Sequence, residues 1–115
     1  MIVGIGCDII EISRIEKAMK NPLFAKKCFT DAEMNYISEK NIESAAGFFA
    51  AKEACSKAFG TGLCGISLKD IEVNHTSEGK PYIKTYNTAI ASDCNIHLTL
   101  SHCREYAAAF VILEK

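Results

Sequence analysis

The segment at residues 48–62, FFAAKEACSKAFGTG, constrains this chain more than any other. Its composition favours a helix, and residues three or four positions apart share one face of a helix. One face is apolar and contains Phe48, Ala51, Cys55, Ala58 and Phe59. The neighbouring face contains Phe49, Glu53, Ser56, Lys57 and Gly60. A helix that needs only burial and solubility has little reason to place an acid and a base beside a bulky ring, so we predict that this second face belongs to a site.

Length and composition predict one domain over residues 1–115. A domain of this size buries a modest share of its surface, so association of several copies would stabilise it. Hydrophobic residues form 49% of the chain, which argues against disorder. The net charge of −1 gives no general attraction to nucleic acid or membranes. Without signal-peptide features or a membrane-length apolar run, a cytoplasmic location is expected.

Six cysteines invite a disulfide or metal interpretation. They occupy positions 7, 28, 55, 64, 94 and 103, and none forms a C-x-x-C pair. Closed zinc sites need clustered soft ligands, which this spacing does not provide. We therefore predict free thiols that are buried or half-buried.

The remaining pattern predicts an α+β fold in which the long helix packs on a mostly antiparallel sheet. Strands are predicted over residues 2–12, 67–76, 81–86, 96–101 and 106–113. Helices are predicted over residues 14–20, 23–28, 30–39 and 87–94, and from residue 41 or 43 to Gly60. Ser13–Glu16 and Thr30–Glu33 have the spacing of capping boxes, and residues 77–80 have the composition of a turn.

Asp8 is the first candidate for chemistry. It falls in the middle of the first predicted strand, on the same face as Gly4 and Gly6. A buried carboxylate needs a partner, and the two glycines leave room for a larger group to approach. From these residues alone, an ion pair with a lysine, a backbone contact and a cation-binding role all stay open.

Glu53 offers a second carboxylate. Its ordinary interpretation is a surface pair with Lys57, which would stabilise the helix by only ~0.3–0.5 kcal/mol. The alternative is a Mg²⁺ site, since this ion takes one or two carboxylates together with phosphate oxygens and waters. Asp8 and Glu53 could supply those carboxylates. Lys52 and Lys57 could then meet phosphate charge, which favours metal-assisted chemistry on a phosphate ester.

Two further motifs are ambiguous. Gly60-Thr61-Gly62 follows the long helix, and the helix dipole disfavours anions at a C-terminus, so capping is the expected role. Ser101-His102 falls at a strand end, where a histidine is either a structural hydrogen-bonding group or part of a site. His75 and His97 have no such context, and we predict that both are structural.

Four motifs in this chain, taken in order, resemble the 4′-phosphopantetheinyl transferases, and more narrowly the short bacterial holo-acyl-carrier-protein synthases. They are GIGCDIIEI near the N-terminus, FFAAKEACSKAFGTG in the middle, GKPYI at residues 79–83 and LSHCREYAAAFVI at residues 100–112. The resemblance implies the fold of that family and transfer of the phosphopantetheine arm of coenzyme A to a serine of apo-acyl carrier protein. Adenosine 3′,5′-bisphosphate would be released, and the reaction would support fatty acid biosynthesis. The resemblance also implies a homotrimer with sites between subunits.

The same resemblance implies roles for individual residues. Asp8 and Glu53 match the Mg²⁺ ligands, and Lys57 matches the residue that contacts phosphate at the transferred group. His102 is a candidate for coenzyme A contact or proton handling, and the general base is not identified. The residues expected to bind coenzyme A are Lys52, Lys57, Gly79, Lys80, Pro81, Ser101 and His102.

The chain departs from the family pattern at two positions. Phe48 stands where members often have an arginine, so a phosphate contact is missing or comes from Lys80 or Lys52. Cys103 stands where some members have an acid or a hydroxyl, so a base role does not transfer to that position.

Acyl carrier proteins are acidic, and the first two predicted helices offer a basic face. Its members are Arg14, Lys17, Lys20, Lys26 and Lys27. Opposite charges would raise the rate of encounter with a carrier protein. A solvated helix face would have a similar composition, and Glu16 dilutes the charge.

Two other functions stay open at this point. One is a binding module for carrier protein or coenzyme A without catalysis, which would not require Asp8, Glu53 and Lys57 together. The other is a metal-dependent phosphoester hydrolase acting on small nucleotides, which would need no basic docking face and would release phosphopantetheine without a carrier.

Overall fold

The computed structural model describes residues 1–60, 66–86 and 93–115. The helices are α1 Ile12–Ala18, α2 Pro22–Cys28, α3 Asp31–Glu39 and α4 Ile42–Ala58. The strands are β1 Ile2–Glu11, β2 Ile71–His75, β3 Pro81–Thr85, β4 Asn95–His102 and β5 Tyr106–Glu114. β1, β5 and β4 form one sheet in that order, β2 and β3 form a hairpin, and every pairing is antiparallel. The predicted α+β class is confirmed.

Helix α4 packs directly on β1 because β1 has glycine where the helix crosses it. A Cβ atom on Gly6 would lie 2.0 Å from the carbonyl oxygen of Ala54, and one on Gly4 would lie 2.1 Å from that of Ala58. No side chain fits in either space. The larger group that these glycines admit is therefore α4 itself, and its approach places the helix beside Asp8.

The core lies around α4 and consists largely of small residues. Ala45, Ala50, Ala51 and Ala54 are fully buried on the helix, and Ala107 and Ala109 are fully buried on β5. Small side chains let helix and sheet backbones approach closely. The apolar face predicted from Phe48 to Ala58 is buried accordingly.

The opposite surface of the three-stranded sheet is apolar and exposed. We call it the outer apolar face, and its members are Val3, Ile5, Ile9, Phe110 and Ile112. Ile5 is 70% exposed and Phe110 is 55% exposed. Alternation along β1 and β5 turns these residues away from α4, so the single chain leaves them in water.

Several local predictions change in the structure. α1 begins at Ile12 without a side-chain cap, so Ser13 lies inside the helix and the predicted capping box is wrong. The Thr30–Glu33 capping box is confirmed, with both of its hydrogen bonds present. The predicted strand 67–76 is shorter, because Ser67 caps a 3-10 turn at Leu68–Asp70 and β2 begins only at Ile71.

The end of α4 and the following turns also bear on the predictions. Gly60 has φ of +75°, the left-handed conformation expected after a helix, and Gly79 has φ of +91° in the turn before β3. Thr61, Gly62 and most of the predicted helix 87–94 lie outside the described residues.

Five cysteines are described, and all five are free thiols. Cys28 and Cys55 are buried and Cys94 is half-buried, whereas Cys7 and Cys103 are exposed, contrary to prediction. Burial raises the pKa of the Cys55 thiol to about 12. Cys64 lies outside the described ranges. No helix within those ranges has the length and apolar character needed to cross a membrane.

Candidate active site

Asp8 and Lys57 meet where α4 crosses β1. The Lys57 ammonium donates to Oδ1 of Asp8 at 3.0 Å and to the carbonyl oxygen of Cys7 at 3.1 Å. Among the described residues, Asp8 is the only ion-pair partner of Lys57. The sequence analysis left two lysine pairs open, one between Asp8 and a lysine and one between Glu53 and Lys57 on the helix surface. The structure forms the pair between Lys57 and Asp8, at the crossing where Gly4 and Gly6 let β1 approach α4.

Glu53 lies beside this pair and is half-buried. Burial raises the pKa of its carboxyl group, the negative charge of Asp8 raises it further, and Lys57 opposes both effects. The Asp8 side chain is itself only 16% exposed. Two carboxylates therefore share one partly enclosed space with a single ammonium group.

The donor set of this space suits a hard divalent cation. Its charged ligands are carboxylate oxygens from Asp8 and Glu53, the type that Mg²⁺ prefers, with waters or substrate oxygens completing its shell. Within the described ranges, no group of three or more His, Cys, Asp or Glu side chains could hold a metal alone. Any cation held here would thus depend on oxygens from a bound substrate or from water.

A second region of the site is a cavity of about 250 Å³ near the start of α4. Three residues predicted to bind coenzyme A, Pro81, Ser101 and His102, line it together. Gly79 and Lys80 are exposed in the turn before β3 and are not among its lining residues. The structure thus gathers part of the predicted set at one place.

One wall of this cavity is aromatic, and no pattern in the sequence predicted it. The rings of Tyr36 and His75 are stacked with centroids 4.2 Å apart, and the Phe48 ring lies 5.3 Å from that of Tyr36. The Phe48 side chain is buried and packs within this wall. Burial, and then the charge of Lys40, lowers the pKa of His75. Periodicity could not reveal this wall, because its residues come from α3, α4 and β2.

The prediction that Lys52 binds coenzyme A is wrong. Its side chain is completely buried, and its ammonium lies 2.7 Å from Oε1 of Glu33, which is equally buried. It also donates to the carbonyl oxygens of Leu68, at 2.8 Å, and Ile71. Burial lowers the pKa of Lys52, and the charge of Glu33 opposes that effect. With all three protons engaged inside the core, Lys52 is not a phosphate contact.

The five predicted docking residues lie on or between α1 and α2. All five are exposed: Arg14, Lys17, Lys20, Lys26 and Lys27. Glu16 is exposed on the same helix as Arg14. The basic surface expected from the sequence is thus accessible.

Comparison with known proteins agrees with this architecture. Residues 4–111 match the model of the 4′-phosphopantetheinyl transferase superfamily, and the chain belongs to that superfamily. It is similar to a holo-acyl-carrier-protein synthase of Clostridium beijerinckii, with 46% identity over 99% of this chain and 98% of the relative. The predicted family and enzyme class are confirmed.

Solved structures show the same likeness. A Bacillus anthracis holo-acyl-carrier-protein synthase, solved in complex with CoA (3′,5′-ADP), has a TM-score of 0.87 and 43% identity, covering 98% of this chain and 96% of that one. The Helicobacter pylori enzyme, in complex with coenzyme A, also has a TM-score of 0.87, with 32% identity over 96% of this chain and 99% of that one. The predicted transferase fold is confirmed.

Proposed function

We propose that residues 1–115 form one transferase domain that moves the 4′-phosphopantetheine arm of coenzyme A onto a serine of apo-acyl carrier protein. Adenosine 3′,5′-bisphosphate is the second product. The observation that carries the proposal is the meeting of Asp8, Glu53 and Lys57 at the crossing of β1 and α4. The similarity to holo-acyl-carrier-protein synthases, two of them solved with coenzyme A or its nucleotide, supports it.

In this proposal Asp8 and Glu53 hold Mg²⁺. When bound, the ion would neutralise charge on the diphosphate oxygens of coenzyme A. Burial and the negative charge of Asp8 raise the pKa of Glu53, and a bound cation would offset both effects.

Lys57 orients and stabilises the transferring phosphoryl group. Its side chain is 54% exposed, so the ammonium can turn from Asp8 to a phosphoryl oxygen when coenzyme A binds. The serine hydroxyl attacks the β-phosphorus in line, and negative charge spreads over the phosphoryl oxygens. A cation at that point lowers the barrier because it stabilises the transition state more than the bound substrate.

The cavity near the start of α4 takes the nucleoside end of coenzyme A. Gly47 lines it and precedes Glu53 by six residues, which is about 9 Å along the helix axis at 1.5 Å per residue. A diphosphate and a ribose would bridge that gap. Tyr36 and His75, the half-buried members of the aromatic wall, offer a stacking surface for a planar base. The side chains of His102 and Ser101 offer hydrogen-bonding groups.

A homotrimer is the proposed assembly, and the outer apolar face is its proposed contact surface. Exposed apolar residues that form one continuous surface commonly mark an interaction site. Alternation on β1 and β5 gathers five large apolar side chains on one face, which supports this assignment.

The carrier protein is proposed to dock on the basic surface of α1 and α2. The cytoplasmic location stays a prediction.

The proposed reaction can be tested by mass. The protein is incubated with coenzyme A, Mg²⁺ and apo-carrier protein, and the carrier is weighed by mass spectrometry. A gain equal to the phosphopantetheine arm supports transfer. Intact coenzyme A without a gain would favour the binding module, and released phosphopantetheine without a gain would favour the hydrolase.

The metal assignment needs its own variants. Asp8→Asn and Glu53→Gln should each abolish Mg²⁺-dependent transfer while the chain stays folded. Glu39→Gln, at an exposed position at the end of α3, is the matched control and should keep full activity. Retained transfer in both site variants would refute the two carboxylates as Mg²⁺ ligands.

A further inference from the structure

The Glu33–Lys52 ion pair is the most deeply buried charge pair among the described residues, with both side chains inaccessible to water. Burying two charges is costly, and well-packed apolar residues often replace such a pair without loss of stability. A stabilising role alone therefore does not explain it. Lys52 directly precedes Glu53 in the sequence, and this position points to a role near the site.

Every polar atom of this pair is engaged. The three ammonium protons of Lys52 meet three acceptors, namely Glu33, the carbonyl oxygen of Leu68 and that of Ile71. The Glu33 carboxylate accepts from Lys52, from the amide of Thr30 at 2.9 Å and from the amide of Val73 at 2.8 Å. We call this hydrogen-bonded network around Glu33 and Lys52 the Lys52 node. It joins α4 to the start of α3 and to β2.

Such a node restrains α4 differently from apolar packing. Apolar side chains tolerate small sliding or rotation, whereas a saturated buried network loses strong bonds as soon as one element turns. On its β1 side, α4 is restrained by the contacts of Ala54 and Ala58 with the two glycines. The Lys52 node restrains another side of the helix, where it meets α3 and β2. Glu53 lies between these two attachments.

We infer that Glu33 and Lys52 are positioning residues, which set the rotation of α4 and so aim the Glu53 carboxylate at the space shared with Asp8. The inference rests on the proposed role of Glu53 as a metal ligand. Glu33 and Lys52 contact neither the substrate nor the ion, and they act only through the helix.

The test uses the full chain and two variants of the node. Glu33→Gln with Lys52→Met removes both charges at nearly constant volume, so neither charge is left unpaired. Glu33→Asp keeps both charges but shortens the carboxylate's reach by one methylene, so it cannot hold all three donors. Ile83→Ala, in the buried side of β3, is the control for general destabilisation.

Mn²⁺ binding by electron paramagnetic resonance is the primary readout, and steady-state transfer is the second. Both node variants should weaken Mn²⁺ binding roughly 10-fold, the effect typical of losing an outer-shell support. They should lower kcat and leave the KM for apo-carrier protein unchanged. Ile83→Ala should lower the unfolding midpoint yet bind Mn²⁺ like the wild type.

Any other result would contradict either the positioning role or the proposed function. Wild-type Mn²⁺ binding and kcat in the node variants would overturn the positioning role, as would equal weakening in Ile83→Ala. If the double variant does not fold, Glu33→Asp decides the question. A wild-type chain that binds Mn²⁺ but transfers nothing would refute the proposed function alone, whereas one that does not bind Mn²⁺ would refute the positioning inference as well.

Discussion

The Lys57 ammonium lies 3.0 Å from Oδ1 of Asp8 and thereby joins the last turn of α4 to the middle of β1. This hydrogen bond, together with the negative charge of Asp8, raises the pKa of Lys57. The lysine is therefore a permanent cation at neutral pH. It is also exposed, so a phosphate group can reach it.

Replacement of Lys57 by Met should lower kcat for transfer by roughly 10²–10³-fold, the usual cost of losing one preorganised group at a developing charge. Lys57→Arg keeps the charge and should recover part of the rate. Stability should change little, since the side chain is largely exposed. Lys84→Met, at an exposed position on β3, is the matched control. A Lys57→Met enzyme with near-normal kcat would remove Lys57 from the mechanism.

Reversal of charge at Arg14 should weaken docking of the carrier protein. Arg14→Glu is expected to raise the KM for apo-carrier protein about tenfold or more, because close interfacial charge pairs contribute roughly 1.5 kcal/mol or more. The KM for coenzyme A should stay nearly unchanged, and the difference should shrink at high salt. Lys115→Glu, at the exposed last residue, is the control. Equal damage to both KM values would contradict docking at α1.

A charge on the outer apolar face should dissociate the proposed trimer. Phe110→Glu should shift the sedimentation mass from three chains to one, whereas Tyr82→Glu, an exposed aromatic on β3, should not. Cys7 provides a second readout, since it is paired with Phe110 in the β1–β5 register and is exposed in the single chain. Its thiol should react with a maleimide in the variant and be protected in the wild type. A wild-type chain that sediments as a monomer would contradict the assembly.

The glycine contact between β1 and α4 should tolerate no side chain. Gly6→Ala forces a Cβ to within 2.0 Å of the Ala54 carbonyl oxygen, so the helix must shift, at a cost of about 3 kcal/mol in the free energy of unfolding. Gly47→Ala is the matched control, because its Cβ would meet only a Leu100 methyl group at 3.9 Å. That change should be neutral or stabilise the helix by up to about 1 kcal/mol. Urea unfolding of both variants measures the difference, and equal stabilities would contradict it.

His75 should make the fold sensitive to mild acid. Burial and Lys40 lower its pKa below the ordinary value of 6.5, so between those two pKa values the unfolded chain binds more protons than the folded one. Stability due to this residue is thus complete above pH 6.5 and is lost as pH falls through the folded pKa. His75→Phe should flatten this part of the profile, because phenylalanine takes up no proton.

Urea midpoints at pH 7.5, 6.5 and 5.5 provide the measurement for His75. The wild-type chain, unfolded at the same three pH values, is the reference. An unchanged slope in His75→Phe would show that other groups cause the acid sensitivity.

Much of the site was predictable because its key spacings are local. Glu53 and Lys57 share a helix face by period alone, and alternation places Asp8 with Gly4 and Gly6 on one side of β1. The Thr30–Glu33 capping box was equally visible from its spacing. The aromatic wall was not, since the spacing of Tyr36, Phe48 and His75 follows no local period.

The sequence by itself determined the helix, its two faces and the set of charged residues available for the site, because a period of 3.6 residues depends only on the backbone. The tertiary structure alone decided what each charge does. Lys52 and Lys57 lie on one helix, yet Lys52 is sealed in the core by Glu33 while Lys57 reaches Asp8 in the opening beside β1. The physical reason is that burial and pairing depend on what lies across from the helix, and for Lys57 that is a strand 49 residues away.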